Sequence, residues 1–265
     1  IPSDQLTNDQ WKTDLANRFG EQETGIIQVL SLSPKDENMK NIKMRQALSM
    51  AIDRDLVTKQ IFAGARVPAS GWVSPVVDGY KAGVCPDCTF DKDKAKQVYT
   101  EAGGYKGTLQ IWVNGDGGHK PWADAVCNQW KNNLGLQCQT EVTPDFATLR
   151  KGIKAREYKG AYRGGWQMDY PSIENFLTPI YLTGASSNDT DYSSAAFDGK
   201  LKEAAAATDE AKANALYQEA EAILAKDMPT IPLWYQNSQY GWSNKIKSVK
   251  MTPFSTFDLT SVTLN

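Results

Sequence analysis

Histidine is almost absent from this chain of 265 residues, and neither a basic excess nor a long apolar run is present. The single histidine, His119, has no cysteine or carboxylate at ligand spacing, so it predicts neither a metal centre nor a Ser-His pair, and we expect an exposed loop residue. The 29 Lys and Arg residues stand against 31 Asp and Glu, a formal net charge of −2, which argues against nucleic acid as a partner. No stretch approaches the roughly 20 apolar residues that a membrane-spanning helix needs.

Only four cysteines are present, and they fall in two close sets. Cys85 and Cys88 form a Cys-x-x-Cys in a predicted loop, whereas Cys127 lies in a predicted helix and Cys138 in the strand after it. A thioredoxin-like redox site would place the pair at a helix start, and a zinc site would need two more ligands at matching spacing. We therefore favour two local disulfides, 85–88 and 127–138, over a metal site, and they predict an oxidising, exported setting.

Strands and helices alternate between residues 108 and 166. β-Branched and apolar runs predict strands at 108–113, 136–142 and 160–163, with amphipathic helices between them. This order predicts an α/β fold with parallel strands, right-handed crossovers and a ligand at the carboxyl ends of the strands. The loop after Val113 and the stretch after Arg163 both follow such ends.

Residues 163–171, Arg-Gly-Gly-Trp-Gln-Met-Asp-Tyr-Pro, combine features of a ligand site. The paired glycines are predicted to end a strand and let another group approach the backbone. Trp166 and Asp169 follow, and the proline after Tyr170 stops regular structure. A cation (Arg163), an aromatic ring and an anion in one loop predict a ligand site, and a surface turn with a half-buried tryptophan is the competing interpretation.

The same nine residues resemble a segment of the bacterial extracellular solute-binding proteins of family 5, the dipeptide- and oligopeptide-binding components of ABC importers. Two further blocks are similar to this family in the same order. Residues 42–54, Ile-Lys-Met-Arg-Gln-Ala-Leu-Ser-Met-Ala-Ile-Asp-Arg, are similar to its helix ending in Asp-Arg, where we expect Arg45 and Arg54 to be solvated. Residues 217–224 and 227–235 are similar to its late helix and return strand.

The resemblance implies one lobe of the two-lobed periplasmic-binding fold, with a mixed sheet and flanking helices. Residues 1–24 would be a lead-in segment from lobe I, residues 25–232 lobe II, and residues 233–265 a β-rich return segment that normally completes lobe I. Family members are longer, so we expect a C-terminal fragment. A secretion signal and a lipid-anchor cysteine would lie elsewhere in the full protein, which would be extracytoplasmic and touch the membrane only through that anchor.

The resemblance also implies roles for individual residues. Asp169 would pair with the α-ammonium group of a peptide in the cleft between the lobes. Arg163 would bind a ligand carboxylate or else pair with Asp169, and both alternatives remain open. Trp166 and Tyr170 would form the pocket wall, and Trp72 is a further candidate. The expected partners are a small solute and the permease subunits of an ABC transporter, with no cofactor and no enzymatic activity.

Two other functions remain as alternatives. The same importer role could serve an oligosaccharide or another non-peptide solute, because eight tryptophans suit sugar stacking and the Pro171-Ser-Ile-Glu stretch departs from many peptide binders. More remotely, Asp169 and Glu174 could form the carboxylate couple of a glycoside hydrolase. No other residue of the chain indicates catalysis.

Overall fold

The computed structural model of the chain describes residues 1, 5 and 10–265. Its strands are β1 Phe19–Leu32, β2 Arg66–Pro68, β3 Leu109–Asn114, β4 Cys138–Thr143, β5 Ala161–Gln167, β6 Thr230–Gly241, β7 Ile246–Met251 and β8 Phe257–Leu264. Its α-helices are α1 Gln10–Leu15, α2 Ile42–Met50, α3 Arg54–Phe62, α4 Lys92–Glu101, α5 Lys120–Leu134, α6 Phe146–Lys154, α7 Ile173–Tyr181, α8 Ala195–Ala205 and α9 Glu210–Asp227.

Side-chain caps fix where several of these helices begin. Asp53, Asp145 and Asp209 each accept a hydrogen bond from the backbone N–H three residues later, at the starts of α3, α6 and α9. Each cap satisfies one of the N–H groups that the first helical turn leaves without an internal partner.

Six strands form one mixed sheet in the order β2-β6-β1-β5-β3-β4. β3 runs parallel to both β4 and β5, with α5 and α6 in the two crossovers, whereas β1 pairs antiparallel with β5 and β6. The predicted parallel strands and the α/β fold with a mixed sheet and flanking helices are therefore confirmed. Among the described residues, no helix is both long and apolar enough to span a membrane.

β5 is longer than the sequence predicts, because it continues through the paired glycines to Gln167. The prediction that the strand stops at these glycines is wrong. A Cβ on Gly165 would lie 2.7 Å from the carbonyl oxygen of Ile27, and one on Gly164 would lie 2.5 Å from Ser31 Oγ. The glycines thus allow β1 to pack closely against β5, and the pairing of the two strands is unbroken.

The expectation that Arg45 and Arg54 are solvated is also wrong. Arg54 is 3% exposed, and its guanidinium donates to the carbonyl oxygens of Pro232 (2.8 Å) and Cys88 (2.6 Å) as well as to Ser49 Oγ. Arg45 donates to the carbonyl oxygen of Asp227 at the end of α9. Guanidinium has five donors, so it can satisfy several buried carbonyl groups at once.

The two ends of the chain lie against each other. Residues 19–23 of β1 pair with residues 237–241 of β6, and β7 and β8 form a separate two-stranded antiparallel sheet. The β-rich C-terminal segment is thereby confirmed. Of the lead-in segment, residues 2–4 and 6–9 lie outside the described residues, and the boundary proposed at residue 233 falls inside β6.

The four cysteines lie in the two pairs that the sequence suggests. The Cα atoms of Cys85 and Cys88 are 5.3 Å apart, and those of Cys127 and Cys138 are 5.2 Å apart. Both separations fall within the range that a disulfide spans. The first pair lies in the loop between β2 and α4, and the second lies between α5 and the edge strand β4.

Candidate functional site

An open cleft of about 610 Å³ lies at the carboxyl end of the parallel strands. The loop after β3, the first turn of α6, the second half of β5 and parts of β1 and β6 form its walls, through residues that include Asn114, Asp116, His119, Phe146, Arg163, Trp166, Gln28 and Trp234. Both strand ends that the sequence nominates, after Val113 and after Arg163, contribute to it. The cleft therefore occupies the position where open α/β sheets bind ligands.

A smaller cavity of about 160 Å³ adjoins this cleft. The two share five wall residues, Ile27, Phe146, Arg163, Gly165 and Trp166. From there the cavity extends over β1 and β5 toward α7 and the loop at residues 187–190, and Trp72, Thr230 and Tyr181 are among its walls.

Arg163 is the charged group common to the cleft and the cavity. Its Nε donates to His119 Nε2 (3.1 Å), and its guanidinium carbon lies 5.0 Å from the centre of the Phe146 ring. Burial and the nearby Arg150 lower the pKa of Arg163, and Asp116 partly offsets them. Within the described part of the chain Arg163 forms no ion pair, so the considered pairing with Asp169 is not present.

His119 is not the exposed loop residue that the sequence predicts, because it is half-buried in the cleft wall. Trp122 Nε1 lies 3.1 Å from its Nδ1, and Arg163 Nε faces its Nε2. A neutral imidazole can accept at only one nitrogen and an imidazolium at neither, so two facing donors oppose protonation. Burial, with a further contribution from Arg163, lowers the pKa of His119 to about 4.

Trp166 and Asp169 are held by one buried side chain, Asn175, which is 1% exposed. Asn175 Oδ1 accepts from Trp166 Nε1 (3.0 Å) and from the backbone N–H of Asp169 (2.8 Å). Its Nδ2 donates to Asp169 Oδ2 at 3.4 Å. The Asp169 side chain itself is exposed at the end of β5, next to the cleft that Trp166 lines.

Tyr170 lies outside the walls of both cavities, as does Asp169. The Tyr170 side chain is 44% exposed, and its hydroxyl donates to Glu174, whose carboxylate is thereby engaged. Among the described residues, no group of three or more His, Cys, Asp or Glu is arranged to hold a metal ion.

Trp72 is 1% exposed and forms the floor of the smaller cavity rather than the wall of the open cleft. Its backbone N–H donates to Glu221 Oε1 (2.8 Å), and its indole N–H donates to Thr230 Oγ1 (2.8 Å). Burial raises the pKa of Glu221 to about 7, although the hydrogen bonds from Trp72 and Val73 oppose that shift. Trp72 therefore connects the cavity floor to α9.

Sequence reasoning missed Phe146, Asn175 and the role of His119. Phe146, the first residue of α6, is 43% exposed and lines both cavities. A signal was available for Phe146, because it follows the Asp145 cap directly after a parallel strand and so belongs to the ligand end of the sheet. Asn175 lies in an apolar helix and carries no comparable signal.

A mixed sheet with its cleft at the carboxyl ends of parallel strands places this chain among the α/β ligand-binding domains. A sequence profile of the bacterial extracellular solute-binding proteins, family 5 middle region, matches residues 2–188. The chain belongs to this family, as the sequence motifs suggested.

Individual relatives agree with that assignment. The periplasmic oligopeptide-binding protein OppA of Escherichia coli is 32% identical over 203 residues, which cover 74% of this chain and 37% of the relative. Heme-binding protein A of Haemophilus influenzae is 27% identical over 92% of this chain and 45% of its own length. The ABC transporter-associated periplasmic binding protein DppA of Helicobacter pylori, solved in complex with the peptide STSA, superposes with a TM-score of 0.83. It is 23% identical over 95% of this chain and 51% of that one. The chain thus spans about half the length of the proteins that it matches.

Proposed function

We propose that this chain is part of the substrate-binding subunit of an ABC importer and that the cleft binds peptides. The observation that carries the proposal is the state of Arg163, a largely buried cation in the cleft wall with no carboxylate partner among the described ion pairs. A buried charge without a partner is unfavourable, so a ligand carboxylate at this position gains a strong charge-assisted hydrogen bond.

Asp169 supplies the opposite charge two residues beyond the end of the same strand. Six residues separate it from Arg163, roughly 20 Å at most along an extended chain. A ligand that reaches both groups must carry an ammonium group and a carboxylate that are several bonds apart, which describes a short peptide better than a single amino acid. The relatives named as oligopeptide- and dipeptide-binding proteins support this assignment.

Trp166 and Phe146 give the peptide an apolar surface between the two charges. Aromatic rings supply contact area without selecting one particular side chain. His119 orients the Arg163 guanidinium through Nε2, and its neutral form adds no further positive charge beside that group. The known relatives are binding proteins, and no catalytic step is part of this proposal.

The wider setting is proposed on the same basis. The protein would deliver its solute to permease subunits from an extracytoplasmic position, and a lipid anchor would hold it at the membrane. The names of two relatives include the word periplasmic, which supports the extracytoplasmic position. Both cysteine pairs would be disulfides there. Residues 25–232 would form lobe II, and residues 1–24 with 233–265 would belong to lobe I, since the two end segments pair with each other.

Calorimetric titration of peptides into the longest natural form of the protein that contains this chain tests this function. Di- to pentapeptides should bind, and D169N and R163Q should each weaken binding at least tenfold. D124N is the matched control, because it removes an exposed acid paired with Lys120 on α5. Binding of oligosaccharides in place of peptides would keep the importer role and overturn the peptide assignment.

A further inference from the structure

The smaller cavity has the size of a pocket for one side chain. Its volume is about 160 Å³, close to cavities of ~150 Å³ that accommodate a benzene-sized molecule. Because its mouth shares Phe146, Arg163 and Trp166 with the cleft, a ligand lying along β5 can project one side chain into it.

The walls beyond that mouth include apolar, neutral polar and charged residues. Trp72 and Ile180 cover the apolar part, and Arg150 and Asp189 form an ion pair in the charged part. An incoming side chain can therefore bury methylene groups and still meet a charged group at its tip.

The charged part has more positive than negative charge. Asp189 accepts from Arg150 and also from Lys154 Nζ (2.8 Å), so one carboxylate is shared by two cations. Arg163 adds a third cation at the mouth, and its lowered pKa reflects burial and then the proximity of Arg150. The three cations face two carboxylates, Asp189 and Asp116, of which Asp116 faces Arg163 from the cleft. One positive charge therefore remains in excess.

Solvent screens these charges only weakly. The Asp189 side chain is 14% exposed and that of Arg150 is 33% exposed. Interactions between partly buried charges persist at salt concentrations that screen exposed pairs.

We propose that this cavity is a specificity pocket for a ligand side chain that ends in a carboxylate, with Arg150 as the recognising cation. The proposal rests on the proposed peptide-binding function. A glutamate side chain would place its methylene groups against Ile180 and its carboxylate beside Arg150, where it would share the cations that Asp189 now holds alone. A lysine side chain in the same place would meet the positive excess.

The test uses tripeptides that differ only in one side chain, Glu, Gln, Lys or Leu, at each position in turn. Calorimetry on the longest natural form of the protein should show, at one position, about tenfold tighter binding of Glu than of its isosteric amide Gln, in line with one charge-assisted hydrogen bond. R150Q should reduce this Glu-to-Gln ratio to within about twofold. D189N should raise the ratio, because it removes the carboxylate that competes for Arg150.

R156Q is the matched control, since Arg156 pairs with Asp191 next to the cavity and does not line it. The Glu-to-Gln affinity ratio of R156Q should equal that of the unaltered protein. The opposite directions expected for R150Q and D189N separate recognition from a loss of folding. Equal binding of Glu and Gln at every position overturns the pocket while peptide binding stands. Absence of binding by every peptide overturns the proposed function, and the pocket with it.

Discussion

The indole N–H of Trp166 and the backbone N–H of Asp169 donate to the same oxygen, Oδ1 of the buried Asn175. One amide group thus fixes a ring that lines the cleft and the carboxylate expected to receive the ligand ammonium. The cleft depends on a residue that need not touch the ligand.

N175A should therefore weaken both folding and binding. The substitution leaves two donors without their acceptor, and each such loss destabilises a protein by about 1–3 kcal/mol. Urea denaturation should show a lower free energy of unfolding, and peptide affinity should fall even at temperatures where the variant is fully folded. E174Q on the same helix is the control, because it changes only the exposed contact with Tyr170. Unchanged affinity in folded N175A would contradict the positioning role.

R54K should destabilise the chain nearly as much as R54M. The buried guanidinium bonds to carbonyl groups of the α2 end, the Cys85–Cys88 loop and β6, and an ammonium group cannot reach them together. Each buried carbonyl group that loses its donor destabilises the protein by about 1–3 kcal/mol. R156K, at an exposed ion pair, should change the unfolding free energy by less than about 1 kcal/mol. Equal unfolding midpoints for the two lysine variants would refute this structural role of Arg54.

The stability of the chain should fall as the pH drops from 6.5 toward 4. The unfolded chain takes up a proton on His119 near its ordinary pKa of 6.5, whereas the folded chain takes it up only near 4. Between those values the unfolded state binds more protons, so acid favours unfolding and stability rises with pH. Thermal melts at a series of pH values should show that the melting temperature changes less with pH in H119Q than in the native chain within this window. An equal dependence of the melting temperature on pH in the two proteins would show that His119 titrates normally.

Two glycine substitutions should act in opposite directions. G165A places a Cβ 2.7 Å from the Ile27 carbonyl oxygen and should lower the melting temperature by disturbing the pairing of β1 with β5. G199A adds a methyl group to α8 with no atom within 4 Å of it, and should stabilise that helix by roughly 0.5–1 kcal/mol. Both variants exchange glycine for alanine, so the melting curve of each is the control for the other. A stabilised G165A would contradict the close strand contact.

The sequence predicts the parts of this fold that depend on periodicity. The alternation of strands and helices from β3 to β5 follows from local patterns, because burial on one face repeats with the period of the element. It also nominates Arg163 and Asp169 as ends of a site. It fails for Arg54, because an arginine on a helix carries no local sign that the chain will surround it with carbonyl groups.

The environment of the candidate site could not be predicted for the same reason. Whether Arg163 pairs with Asp169 or faces His119 depends on how β3 and β5 are placed in the sheet, and these strands are distant in sequence. The continuation of β5 through the glycines was missed because paired glycines indicate a close approach without indicating which group approaches. Here that group is the backbone of β1.

The most direct measurement is the peptide affinity of R163Q beside that of the native protein, in the longest natural form that contains this chain. The account predicts saturable binding of short peptides and at least a tenfold loss in R163Q. A peptide whose terminal carboxylate is amidated should bind the native protein as weakly as the free peptide binds R163Q. Equal affinity of R163Q and the native protein for the free peptide would contradict the assignment of Arg163 to the ligand carboxylate.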